Sequence, residues 1–149
     1  LKMRRIRLFY KKFMILTLTI KLAYSDDDWK VTIEIDDSSS LEDLHLAIQD
    51  AVEFDNDHMY EFYVARTEHS HNRDVFDSED DGVYNITLES LYPLPKARKL
   101  YYMFDYGDSW LFQVTKSRKK PHETINDIEY PRVINETGKK PEQYPDWEE

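Results

Sequence analysis

Residues 101–114 place two aromatic, β-prone runs on either side of Gly107-Asp108: Tyr101, Tyr102, Met103 and Phe104 before it, Trp110, Leu111, Phe112 and Val114 after it. A Gly-Asp pair between such runs predicts a two-residue hairpin turn with positive φ at the glycine. Counting outward sets Tyr106 opposite Ser109, Asp105 opposite Trp110, Met103 opposite Phe112 and Tyr101 opposite Val114. Alternation puts the last three of these pairs on one face. Asp105 is then a carboxylate among Trp, Phe, Met and Tyr, a costly position unless it is hydrogen-bonded or paired. It is the first residue to carry a specific expectation.

Two further alternating runs predict a second hairpin. Met14, Leu16, Leu18, Ile20 and Leu22 share one face, as do Trp29, Val31, Ile33 and Ile35, with the polar turn Ser25-Asp26-Asp27-Asp28 between them. A helix follows, with Ser39 or Ser40 as N-cap and Glu42 or Asp43 closing a capping box. Its apolar stripe is Leu41, Leu44, Ile48, Ala51 and Val52, and His45 falls within it. Residues 59–64 predict a third strand, and 66–85 a long acidic excursion loop of the kind that is functional or mobile. Residues 86–91 predict one helical turn capped by Thr87, and 130–134 an edge segment. The expected architecture is a single α+β domain over 1–149, with a β-hairpin–helix–strand, β-grasp-like opening and further antiparallel strands. Its core spans about 13–134 and its Pro-rich tail, 135–149, is expected to pack loosely.

The chain lacks cysteine, which excludes disulfides, thiolate zinc sites and cysteine nucleophiles and agrees with a cytoplasmic location. The net charge is −10, yet the first 25 residues hold seven cations and no acid. An acidic body repels phosphate backbones, so nucleic acid is disfavoured, with the basic stretches 2–12 and 116–120 as its only footholds. The apolar run at 13–22 is far short of the ~20 residues of a spanning helix, alternates as a strand does, and has no small-residue cleavage site after it. No membrane association is expected, and the partner, of unknown identity, is expected to be a protein rather than a nucleic acid.

Several ordered motifs carry a resemblance. They are Trp29-Lys30, Leu41-x-x-Leu44-His45, His58-Met59-Tyr60-Glu61-Phe62, Tyr102-x-Phe104-Asp105-Tyr106-Gly107-Asp108-x-Trp110, and the closing Tyr130-Pro131-Arg132 with Gly138-Lys139-Lys140-Pro141. Over about residues 13–142 the chain resembles the plasmid-borne open-reading-frame-three-like family, named from a root-inducing plasmid and mostly of unknown function. The resemblance implies a fold and a set of suspect residues, not a reaction. Phe112 stands where the family pattern leads one to expect a histidine, and Phe54 where it has a tryptophan.

His45, His58, Asp105, Asp108 and Trp110 are the candidate pocket or structural residues. Two histidines and two carboxylates in one cleft could hold a divalent metal or act as acid and base. Alternatively, His45 bonds a backbone carbonyl, and Asp105 and Asp108 serve the hairpin turn. His69 and His71 with Asp74 and Asp77 form a weak metal motif, and 77–82 echoes a calcium loop whose twelfth position is Leu88 instead of Glu. No glycine-rich phosphate loop, nucleophile elbow or zinc-protease helix occurs. The expectation is a non-enzymatic binding module without cofactor or metal. The alternative is a metal-assisted hydrolase or nucleic-acid-processing protein using Asp105, Asp108, His45 and His58.

Overall fold

A computed structural model describes residues 13–24, 28–79 and 82–145. The basic stretch 2–12, most of the turn at 25–28 and Asp81 of the calcium-like motif lie outside the described residues.

Strands β1 (Met14–Leu22) and β2 (Lys30–Asp36) pair antiparallel, with Ile20 opposite Val31, Leu18 opposite Ile33 and Leu16 opposite Ile35. The alternating apolar set buries one face, as expected. Helix α1 (Leu41–Val52) starts at Ser40, whose hydroxyl accepts the Asp43 N–H (3.1 Å) while the Asp43 carboxylate accepts the Ser40 N–H (2.9 Å). It stops at Glu53, left-handed at φ 60°, which folds its N–H back onto the Asp50 and Gln49 carbonyls. Leu41, Leu44 and Ile48 are wholly buried against the sheet, each worth roughly 1.5–3 kcal/mol of apolar transfer.

After β3 (Tyr60–Ala65) the chain departs from expectation. The 66–85 segment is not a continuous loop: it holds the edge strand β4 (Asp74–Asp77) and the single-turn helix α2 (Gly82–Asn85). Phe76 and Val75 pair with Phe62 and Tyr63, and Val83 is fully buried. Elements of four residues are too short to generate a readable period. Helix α3 (Leu88–Leu91) follows, capped by Thr87 as expected. Then come β5 (Lys99–Phe104), β6 (Trp110–Lys116), β7 (His122–Glu123) and β8 (Arg132–Thr137).

The result is a mostly antiparallel sheet in the order β4-β3-β5-β6-β1-β2-β8, with β7 extending the β6 side of β1. One face packs under the three helices in the main core. On the other, Tyr63 and Tyr101 stack at 5.1 Å beside Ala65 and Leu111, with the Arg73 guanidinium 4.0 Å from the Tyr63 ring centre.

The β5–β6 register differs by one residue from the sequence expectation. Phe104 faces Trp110, Met103 faces Leu111 and Tyr102 faces Phe112. The loop is the five residues Asp105–Ser109, and its positive φ values lie at Asp105 (66°) and Ser109 (54°), not at Gly107. The Asp105 carboxylate decides the turn by accepting the Gly107 N–H (3.0 Å) and Asp108 N–H (3.3 Å), while its carbonyl accepts the Ser109 N–H. A side-chain acceptor thus overrides the local Gly-Asp preference. The slip puts Tyr102 and Phe104, rather than Tyr101 and Met103, on the face beneath α1.

Within residues 135–145 the chain makes specific contacts with the sheet and the α1–β3 loop. Strand β8 runs to Thr137 along the β2 edge, and the Trp29 indole N–H donates to Glu136 (2.8 Å). Gln143 is buried; its amide oxygen accepts the Asp55 N–H (2.7 Å) and its nitrogen donates to Asp57 (2.8 Å).

Candidate functional site

The five candidate residues fall into two layers. His45 belongs to the inner one. It projects from α1 into the core, 1% exposed, and its Nδ1 lies 2.6 Å from the Tyr102 hydroxyl. Its Nε2 lies 2.7 Å from Asn56 Oδ1, and its ring stacks on Tyr60 at 3.6 Å. Gln49, one turn along α1, donates to the same Tyr102 hydroxyl (2.9 Å) and accepts the Asn56 N–H (2.9 Å). The partners of His45 are side chains, not the backbone carbonyl expected. With both ring nitrogens engaged, His45 has no lone pair or proton to offer a substrate.

Burial depresses the His45 pKa below its ordinary 6.5, against the smaller upward pull of the Asn56 bond and the Glu42 charge. A histidine neutral in the fold must be protonated at a cost. Its contribution to stability is therefore complete above pH 6.5 and is lost as pH falls through the lower, folded pKa. Urea melts between pH 7 and about 5 are expected to show a shallower loss of stability for His45→Gln than for the parent protein. Parallel slopes would mean that His45 does not titrate differently on folding.

The outer layer is where the α1–β3 loop, the β5–β6 loop and the 143–145 segment meet. His58 Nε2 lies 2.9 Å from the Tyr144 hydroxyl, 3.4 Å from Asp105 Oδ2 and 3.7 Å from Asp57 Oδ1. The Tyr144 hydroxyl donates to Asp57 (2.6 Å) and, with Gln143, holds that carboxyl below its usual range. The same bond pushes the tyrosine up to about 12. Asp105 is 6% exposed, and its other oxygen is spent on the turn. Its backbone N–H donates to the Met59 carbonyl, which joins the two loops. Asp108 is exposed and contributes its backbone N–H to Asp105. Trp110 packs edge-on against Phe54 at 5.0 Å.

The structure therefore brings His58 and Asp105 together, leaves Asp108 on the turn and sets His45 apart beneath the Tyr60 ring. Among the described residues, no three His, Asp or Glu side chains are placed to share a metal ion. That includes His69, His71, Asp74 and Asp77, with the His69 side chain 85% exposed beside Glu68. Asp105→Ala is expected to cost about 1–3 kcal/mol, since two turn N–H groups lose a charged acceptor. Asp108→Asn should cost less. Equal urea midpoints for Asp105→Ala and the parent would show that water serves those donors as well.

Sequence reasoning missed Glu34, 6% exposed on β2 and held by Arg132 (2.7 Å) and His122 (3.0 Å). Burial pushes its pKa up, but those two bonds outweigh it and hold the carboxyl below the carboxylate range. Its polar slot in an alternating strand gave no sign of burial, because the covering residues arrive almost a hundred positions later.

A cleft of about 600 Å³ opens elsewhere, where β1, β5 and β6 end beside α3. Leu16, Leu88, Leu94 and Val114 line it, and Arg98, Lys99, Lys116 and Arg118 surround it. None of the five candidate residues reaches it.

Among solved structures, the chain is similar to the protein of unknown function MM3350 from Methanosarcina mazei Go1, at 20% identity and a TM-score of 0.70. The match covers 85% of this chain and 71% of that one, and it carries the fold alone. No curated protein matches the chain. No described helix is long and apolar enough to cross a membrane. Residues 14–144 match the family described as plasmid pRiA4b ORF-3-like protein, and the chain belongs to that family.

Proposed function

We propose that the protein is a non-enzymatic binding module, acting in the cytoplasm on a partner or ligand of a mobile-element-associated system. The observation that carries this reading is where the polar groups point. The His45 imidazole is closed off by Tyr102 and Asn56, and Asp105 is bound by its own turn. Acid–base or metal chemistry needs such groups to converge on space a substrate can enter, and the cleft holds none of them. The β-grasp-like reading of the β1–β2–α1–β3 opening belongs to the same proposal.

The hydrolase alternative would have to use the His58–Asp105 approach, 3.4 Å with Asp57 nearby. Calorimetric titration with Mn²⁺ or Zn²⁺ separates the two. The module reading expects no stoichiometric site. A site weakened at least tenfold by His58→Gln or Asp105→Asn would replace the module with a metal-dependent enzyme.

A further inference from the structure

The cleft beside α3 combines three features that do not follow from packing the core. Its volume, about 600 Å³, lies within the roughly 300–1,000 Å³ of small-molecule sites. Its floor is apolar, from Leu16, Leu88, Leu94 and Val114. Its rim holds Arg98, Lys99, Lys116 and Arg118 against two carboxylates, Asp37 and Glu89. Asp37 already accepts the Met14 N–H at 3.2 Å. None of the four cations forms an ion pair with a described residue, although the chain carries thirty acids against twenty Lys and Arg.

In a protein of net charge −10, four cations without an ion pair among the described residues, against two carboxylates, make a local positive field inside an acidic surface, which selects for anions. Arg98 and Lys116 are half-buried, where a charge is screened less than at an exposed site. Lys116 lies on β6 two residues beyond Val114, so strand alternation puts the ammonium on the same face as the apolar floor. Tyr92 also lines the cleft, and its hydroxyl is buried without a hydrogen-bond partner among the described residues, a donor left for a ligand or an ordered water to satisfy.

On the reading that the protein is a binding module, we propose that this cleft binds a small amphipathic organic anion: an apolar body on the Leu16–Leu88–Val114 floor and a carboxylate, sulfonate or phosphate head between Arg98 and Lys116. The edge of β8 is a weaker docking site. Its ladder to β2 shifts register between Thr32 and Ile33, and the strand carries Arg132 and Glu136, features that blunt strand addition.

Fluorescence titration with 8-anilinonaphthalene-1-sulfonate, an apolar ring system bearing one sulfonate, tests the proposal on the folded full chain. Saturable binding is expected, with displacement by dodecanoate. Arg98→Glu combined with Lys116→Glu should weaken binding at least tenfold. Lys21→Glu combined with Lys30→Glu changes the charge equally away from the cleft and should leave binding within twofold. Urea melts of both variants establish that they are folded, and Arg98→Gln with Lys116→Gln replaces the first pair if it is not. Equal weakening by the two pairs, or no binding by the parent, overturns the proposal. Displacement by polyglutamate or oligothymidylate but not by dodecanoate overturns it in favour of a polymeric partner. All these outcomes are independent of the metal titration, which alone decides the module reading.

Discussion

Phe112→Ala is expected to destabilise the protein by about 3–5 kcal/mol, the usual cost of truncating a fully enclosed aromatic ring. Phe112 is wholly buried, and its ring sits 6.2 Å from Trp29, 6.1 Å from Phe54 and 5.8 Å from Tyr102. Those neighbours come from the residue just before β2, the α1–β3 loop and β5, so collapse into the void would require three segments to move at once. A urea midpoint shift equivalent to less than about 1 kcal/mol would show that the site relaxes freely. Phe112 and Phe54, the positions where the sequence resemblance leads one to expect a histidine and a tryptophan, pack against each other. Phe112→His is expected to destabilise as well, because it sets an imidazole among the Trp29, Phe54 and Tyr102 rings, where the Tyr102 hydroxyl is already held by His45 and Gln49. The imidazole would be buried without a partner.

What could be read in the sequence was whatever a short window encodes. The 14–22 and 30–36 alternations and the Ser40–Asp43 capping box depend on neighbours within a few residues, whereas the edge segment expected at 130–134 is a strand at Arg132–Thr137. The β5–β6 turn departs from what its dipeptide composition predicts, for a physical reason. Gly107-Asp108 is a good two-residue turn by composition, but Asp105 closes a five-residue loop with its own carboxylate, which a dipeptide rule does not count. Asp105 is a buried polar group that needs partners. Its partners are the turn itself and His58, not a cross-strand aromatic face.

The polar contacts that define the site layers were illegible because they join distant residues. His45 meets Tyr102 across 57 positions and Glu34 meets Arg132 across 98. The cleft shows the same limit. Leu16, Leu88, Arg98 and Lys116 form no motif and share no period, and only the sheet order, which brings β1 beside β6 and β6 beside β5, makes them neighbours.

Tyr102 offers the sharpest test of the inner polar layer. Its hydroxyl is the one atom that touches both His45 and Gln49, 2.6 and 2.9 Å away, and burial raises its pKa far above that of a free phenol. Tyr102→Phe keeps the ring and removes only that oxygen. The loss is expected to be about 1–3 kcal/mol, because an imidazole nitrogen and an amide N–H are left buried and unpaired. Tyr102→Ala adds the cavity of the ring itself, about 3–5 kcal/mol more, a sum comparable to the whole stability of many domains, roughly 5–15 kcal/mol. It should therefore be largely unfolded or sharply less stable near room temperature, by far-ultraviolet circular dichroism and urea melts. A double-mutant cycle between Tyr102→Phe and His45→Gln then isolates the pair. Coupling of about 1 kcal/mol or more is expected for groups in one buried network. Additive losses would mean that each side chain finds other partners, and that the layer beneath the His58–Asp105 rim is held by packing of the Tyr60, Tyr102 and Phe104 rings alone.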